Sequence, residues 1–145
     1  MRVSVQAEAF DLGTELAGFG SAGSTGAVVT FTGVVRDETG TLEALEIEHY
    51  AGMTTRAITE IAQKAQARWD LSDVLVIHRY GVLGVGAPIM MVATASAHRA
   101  AAFEAAEYLM DYLKSRAPFW KKEVRSEGAQ WVAAKHADQD ALDRW

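Results

Sequence analysis

The run Gly81-Val82-Leu83-Gly84-Val85-Gly86-Ala87-Pro88-Ile89-Met90-Met91-Val92-Ala93-Thr94-Ala95-Ser96-Ala97 decides the fold. It is a long stretch without charge, so a membrane-spanning helix is the first reading to test. It is shorter than the ~20 apolar residues such a helix needs, and Gly84, Gly86 and Pro88 interrupt it. Two strands joined by a turn fit it better. Residues 100–115 follow as a long helix, apolar around most of its girth, which implies burial on more than one side. Ala117-Pro118 ends that helix, because proline disfavours helical geometry in the residue before it.

Outward from this centre, residues 74–80 form a second apolar strand. Residues 54–69 form an amphipathic helix. Ile58, Ile61, Ala62, Ala65 and Trp69 recur at spacings of three and four, and Arg56, Glu60, Lys64 and Arg68 take the rest. Residues 3–8 make a short first strand, and 11–19 a short helix capped by Asp11. Residues 18–26 form a glycine- and serine-rich loop. Strands at 27–35 and 42–50 flank a turn at 37–41 and read as a hairpin. Residues 119–124 and 130–133 are short extended segments, and 138–145 a terminal helix. Strands and helices mix without regular alternation, which predicts an α+β fold. No repeat or linker divides the chain, so residues 1–145 are expected to form a single domain.

Composition narrows the function. With 145 residues, half of them hydrophobic, the chain buries roughly 70% of its unfolded surface. Its 14 basic and 19 acidic side chains give a net charge of −5, which argues against nucleic acid as a partner. The absence of cysteine excludes disulfides, thiolate metal sites and a cysteine nucleophile, so any sulfur chemistry must use sulfur carried by another molecule. The first residues lack an apolar signal core and meet Glu8 and Asp11 early. No membrane partner is expected, and the protein is expected to be cytoplasmic.

Two motif readings fail. Gly18-Phe19-Gly20-Ser21-Ala22-Gly23 matches a dinucleotide fingerprint, but that chemistry needs a strand before the glycines and a helix after them, and the order here is reversed. The histidines, His49, His78, His98 and His136, show no helical ligand spacing, and Glu46 and Glu48 share a strand face opposite His49. No metal site and no cofactor are expected.

The informative chemistry is cationic. Ser96-Ala97-His98-Arg99 lies where a strand hands over to the long helix, with Ser96 placed as its N-cap. A helix start offers free N–H groups to an anion, and Arg99 and His98 add donors. Arg36 ends an apolar strand beside a turn, where an arginine is ordinarily solvated. Lys114, Lys121 and Lys122 bracket Ala117-Pro118-Phe119-Trp120. A lysine among aromatic rings is desolvated, which lowers its pKa towards a useful acid–base range; the competing reading is a lysine snorkelling over aromatic surface. On an extended strand Lys121 shares a face with Phe119, and Lys122 with Trp120, so the two lysines serve different roles.

Phe31-Thr32-Gly33-Val34-Val35-Arg36-Asp37, Glu48-His49-Tyr50-Ala51-Gly52-Met53, Val76-Ile77-His78-Arg79 and Ser96-Ala97-His98-Arg99 resemble motifs of the large, MoaE-type subunits of molybdopterin synthase. So does Leu113-Lys114-Ser115-Arg116-Ala117-Pro118-Phe119-Trp120-Lys121-Lys122-Glu123, the most specific of them, and the ending from Asp138 to Arg144-Trp145 fits as well. Ala51 departs from the proline common in that family, at a turn. The resemblance implies an α/β-hammerhead-type domain with two long helices. It also implies a homodimer within a heterotetramer, with a small ubiquitin-like sulfur-carrier subunit whose C-terminal Gly-Gly carries a thiocarboxylate. The implied reaction transfers two sulfurs to cyclic pyranopterin monophosphate, forming the molybdopterin dithiolene of the molybdenum cofactor. Carried over by motif, Lys114 and Lys121 are the expected catalytic residues. Arg36, His98, Arg99, Lys114, Lys121 and Lys122 are the expected substrate-binding residues.

Anionic reactants suit a cationic pocket in an acidic protein, and a sulfur-carrying partner suits a chain without cysteine. Arg99 and Lys114 are fifteen residues apart on one helix, roughly 22 Å at 1.5 Å per residue. The expectation is therefore a site shared between two subunits. The rival classes are a non-catalytic oligomeric module that binds an anionic metabolite or a partner's tail, and a phosphate-ester hydrolase, for which no nucleophile or metal motif is present.

Overall fold

The computed structural model describes residues 1–133 and 135–145. In chain order the elements are β1 (Arg2–Gln6), α1 (Leu12–Leu16), β2 (Ala27–Val34), β3 (Leu42–His49), α2 (Met53–Trp69), β4 (Asp73–Arg79), β5 (Gly81–Gly84) and β6 (Pro88–Ser96). They are followed by α3 (Arg99–Ser115), β7 (Phe119–Arg125), β8 (Gly128–Trp131), α4 (His136–Asp140) and a 3-10 turn, Ala141–Arg144. The strands form two four-stranded sheets, ordered β1-β4-β6-β2 and β5-β3-β7-β8. Among the described residues, β1 and β4 pair in parallel and the other pairs are antiparallel. The fold is α+β, as expected, and the uncharged run is indeed two strands, β5 and β6, joined by a turn.

The first sheet is covered on both faces. Ile58, Ile61, Ala62 and Ala65 of α2 and Ala105, Leu109 and Leu113 of α3 pack on Val74, Val76, Met90 and Val92. On the other face Leu75, Ile77, Met91 and Ala93 meet Phe10, Leu16 and Phe19 around α1. Two-sided burial is why β4 and β6 read as continuous apolar runs instead of alternating ones. A second core of Val35, Leu45, Ile47 and Leu83, with Ile89 and Phe119 against it, joins the two sheets.

Two expectations are corrected. The strands on either side of Asp37 do not form a hairpin: β2 pairs with β6, and β3 pairs with β5 and β7 in the other sheet. The Val35 backbone bonds the turn before β6 instead, through Val35 N to Ala87 O (3.0 Å) and Gly86 N to Val35 O (2.8 Å). The Asp37 carboxylate then accepts from the N–H groups of Thr39, Gly40 and Leu42, which redirects the chain into the second sheet. Ser96 is not the N-cap of α3: it is the buried last residue of β6, and its hydroxyl donates to the His98 carbonyl, leaving His98 at the cap position. The glycine-rich loop packs against the sheet. A Cβ on Gly26 would lie 2.3 Å from the Ala97 carbonyl oxygen, so only glycine allows that approach.

Asp11 does cap α1, accepting from Thr14 N at 2.9 Å. Burial of α3 extends to α2, the sheet and the C-terminal segment, yet Phe103 stays 60% exposed. The chain ends as a latch on α2 and α3: Arg144 pairs with Glu107 and Asp111, the Trp145 indole donates to Asp111 (2.6 Å), and its ring meets Trp69 and Tyr108 edge-on. Among the described residues, no helix is long and apolar enough to cross a membrane.

Candidate functional site: a cation-lined cavity

A cavity of about 690 Å³ opens where the two sheets meet the end of α3. Its walls come from Phe31–Val34 on β2, Met110, Leu113 and Lys114 on α3, Phe119, Trp120 and Lys121 on β7, and the segment carrying Trp131, Lys135 and Asp138. Arg36 and His78 also line it. Four cationic side chains against one carboxylate make this a positive pocket in a chain of net charge −5.

Strand register decides which lysine enters. β7 pairs with β3 so that Phe119 lies opposite His49 and Lys121 opposite Ile47, which is buried. Trp120 and Lys122 lie opposite Glu48 and Glu46 on the other face. Lys122 Nζ sits 4.4 Å from the centre of the Trp131 ring, a cation–π contact that leaves it outside the cavity lining. The different settings expected of the two lysines are therefore present. Lys114 occupies the last turn of α3, where the negative end of the helix dipole favours a cation.

Burial, and after it the neighbouring Lys114 ammonium, push Lys121 down to about 8. Of the lysines expected to be desolvated, Lys121 is the one so held; Lys114 is exposed by comparison. Arg36 is exposed at the rim and paired with Glu38. His98 and Arg99 stand exposed at the other end of α3 and do not line the cavity. One protomer thus brings together Arg36, Lys114 and Lys121, but not Lys122, His98 or Arg99.

Three lining residues were not singled out from sequence. His78 is 5% exposed and stacks on Phe119 at 3.7 Å with 18° between the rings. Its place in a known motif was the available signal, but a histidine on an apolar strand ordinarily reads as core. Lys135 and Asp138 are brought in by the return of β8, and Ser115 Oγ donates to the Asp138 carbonyl at 2.6 Å. Nothing in local sequence marks Lys135, and Asp138 was signalled only as the start of the terminal segment of the resemblance. Among the described residues, no group of three or more His, Asp or Glu is arranged to hold a metal ion.

The MoaE protein family model matches residues 5–116. The molybdopterin synthase catalytic subunit of Cereibacter sphaeroides is 68% identical over the full length of both chains. Among solved structures, the molybdopterin biosynthesis MoaE protein of Burkholderia ambifaria is 44% identical, with a TM-score of 0.84 over 99% of this chain and 96% of that one. The molybdopterin synthase of Staphylococcus aureus is 30% identical, with a TM-score of 0.83 over 90% of this chain and 96% of that one.

Proposed function

This chain belongs to the MoaE protein family, and from that premise we propose that its cavity is the sulfur-transfer site of a molybdopterin synthase catalytic subunit. The observation that carries the reading is the pair Lys114 and Lys121 in one cavity with Arg36, one of the pair held near pH 8. The sulfur donor is the C-terminal Gly-Gly thiocarboxylate of a small ubiquitin-like subunit, and the acceptor is cyclic pyranopterin monophosphate. Residues 1–145 act as one catalytic domain, working in the cytoplasm.

Each reactant is anionic, and every cation in the cavity lowers the energy of bringing them together. Lys114 lies nearest the incoming thiocarboxylate and stabilises the charge that develops as sulfur attacks the pterin carbon. Lys121, close to half-titrated at pH 8, exchanges the proton that each transfer requires. As each carbon–sulfur bond forms, a carbon–oxygen bond at that pterin carbon breaks and its oxygen takes up the proton; water then cleaves the resulting thioester, leaving the sulfur on the pterin and the partner as a carboxylate. Lys122 stays peripheral, over Trp131.

His98 and Arg99 join the site from a second copy. β2 is an edge strand that runs from Ala27, opposite Ser96 at the end of β6 just before α3, to Phe31 and Val34 on the cavity wall. Along it Phe31 and Val34 are 43% and 49% exposed, and Phe103 lies exposed on the neighbouring α3. This apolar strip has the His98–Arg99 corner at one end and the cavity at the other. Two copies packed antiparallel along it cover the strip and carry His98 and Arg99 of each to the cavity of the other. There they hold the phosphate and pterin with Arg36.

Mass spectrometry of the pterin tests the function, after incubation with this protein and a thiocarboxylated Gly-Gly-ended partner. The expected product carries two added sulfurs, with the partner returned as carboxylate. Partner binding with an unchanged pterin would leave the non-catalytic binding module as the correct reading.

A further inference from the structure

Arg36 and the lysine ammonium groups donate hydrogen bonds, the Asp138 carboxylate accepts them, and the Thr32 hydroxyl can turn either way. His78 differs from all of these. Its Nδ1 lies 2.8 Å from the Arg79 carbonyl oxygen, which can only accept, so Nδ1 carries the hydrogen. The neutral ring then has a bare lone pair on Nε2. Nε2 makes no hydrogen bond to the described residues, and it is not among the buried atoms sealed from solvent; His49 Nδ1 is the atom in that state. The stack on Phe119 fixes the ring plane, and cross-strand pairing with Val5 and Met90 fixes the backbone.

We infer that His78 is a substrate-positioning residue, a neutral acceptor whose Nε2 takes a hydrogen bond from an N–H donor of the bound nitrogen heterocycle and so orients its ring in the cavity. The inference rests on the pterin reading above and deepens it by assigning a contact to the ring, where the cations answer to charge. A second cation here would repel Lys121 and Lys114, and the ring does stay neutral: burial first, and then those two charges, hold His78 down to about 3.

The test uses the assembled synthase and follows both kinetics and the imidazole itself. His78→Phe keeps the stack on Phe119 but removes the acceptor, and should raise KM for cyclic pyranopterin monophosphate about tenfold with kcat within about twofold of wild type. His78→Gln gives up the stack but retains an acceptor, and should recover most of that loss. In wild-type protein carrying ¹⁵N-histidine, Nε2 of His78 should resonate as an unprotonated nitrogen at pH 7 and move upfield when the pterin is added, whether or not either variant folds. An unmoved resonance, a protonated Nε2, or a Gln variant as impaired as the Phe variant would overturn the assignment. Wild-type protein that turns over normally while showing any of these separates failure of this inference from failure of the sulfur-transfer reading, which would show instead as a pterin unchanged by the wild type.

Discussion

At the scale of single residues, the cavity holds a lysine where its charge is least welcome. Lys114→Ala removes the second cause of that shift and leaves the first, burial, in place. The Lys121 pKa should therefore rise above 8 but not reach the 10.5 of a free lysine, as read by competitive acylation of its amine. A value still near 8 would mean that the Lys114 charge is not felt. The sign of the linkage follows. Between about 8 and 10.5 the unfolded chain holds a proton on Lys121 that the folded one does not, so stability rises with pH across that window. Lys121→Met removes the buried cation and should raise stability at pH 7 by about 1–2 kcal/mol while turnover is lost. Denaturant titration beside a turnover assay checks both halves. A destabilised Met variant would show that Lys121 is better paired than its burial implies.

At the scale of elements, β7 carries the proposed site, because strand alternation puts Phe119 and Lys121 on one face and Trp120 and Lys122 on the other, where Trp120 still lines the cavity and Lys122 does not. That division was legible in the sequence, since period two needs no tertiary information. Lys122→Ala should accordingly reduce turnover less than tenfold, against a loss of a hundredfold or more for Lys114→Ala, with both variants retaining the wild-type melting profile. Equal losses would place Lys122 in the chemistry. The strand partners were not legible. Strands flanking a short turn ordinarily pair, and nothing in residues 27–50 announces that Val35 bonds the turn at Gly86–Ala87 and passes the chain to another sheet. The far wall of the cavity was equally hidden. Lys135 and Asp138 are held there by the return of β8, by Ser115 on the Asp138 carbonyl and by the anchoring of Arg144 and Trp145 on Asp111. Deleting those two residues should cost about 1–3 kcal/mol of stability and raise KM for the pterin, as cavity walls loosen. An unchanged melting temperature would show that the arm is held without its latch.

At the scale of the whole molecule, the spacing along α3 could be counted in the sequence, and it separates the two cation groups by the length of one helix. The structure keeps them apart within a protomer, with Lys114 on the cavity and Arg99 away from it. The apolar strip along β2 became visible only with the sheet order, which makes β2 an edge. Complementation between two inactive variants tests this account most directly. One carries His98→Ala with Arg99→Ala, the other Lys114→Ala with Lys121→Ala. Each alone should leave the pterin without added sulfur. Subunits mixed, unfolded and refolded together should form half their dimers as hybrids, each with one intact site of two, restoring about a quarter of wild-type turnover. Mixtures as inactive as their components would contradict the shared site, and either variant active alone would remove its residues from the chemistry.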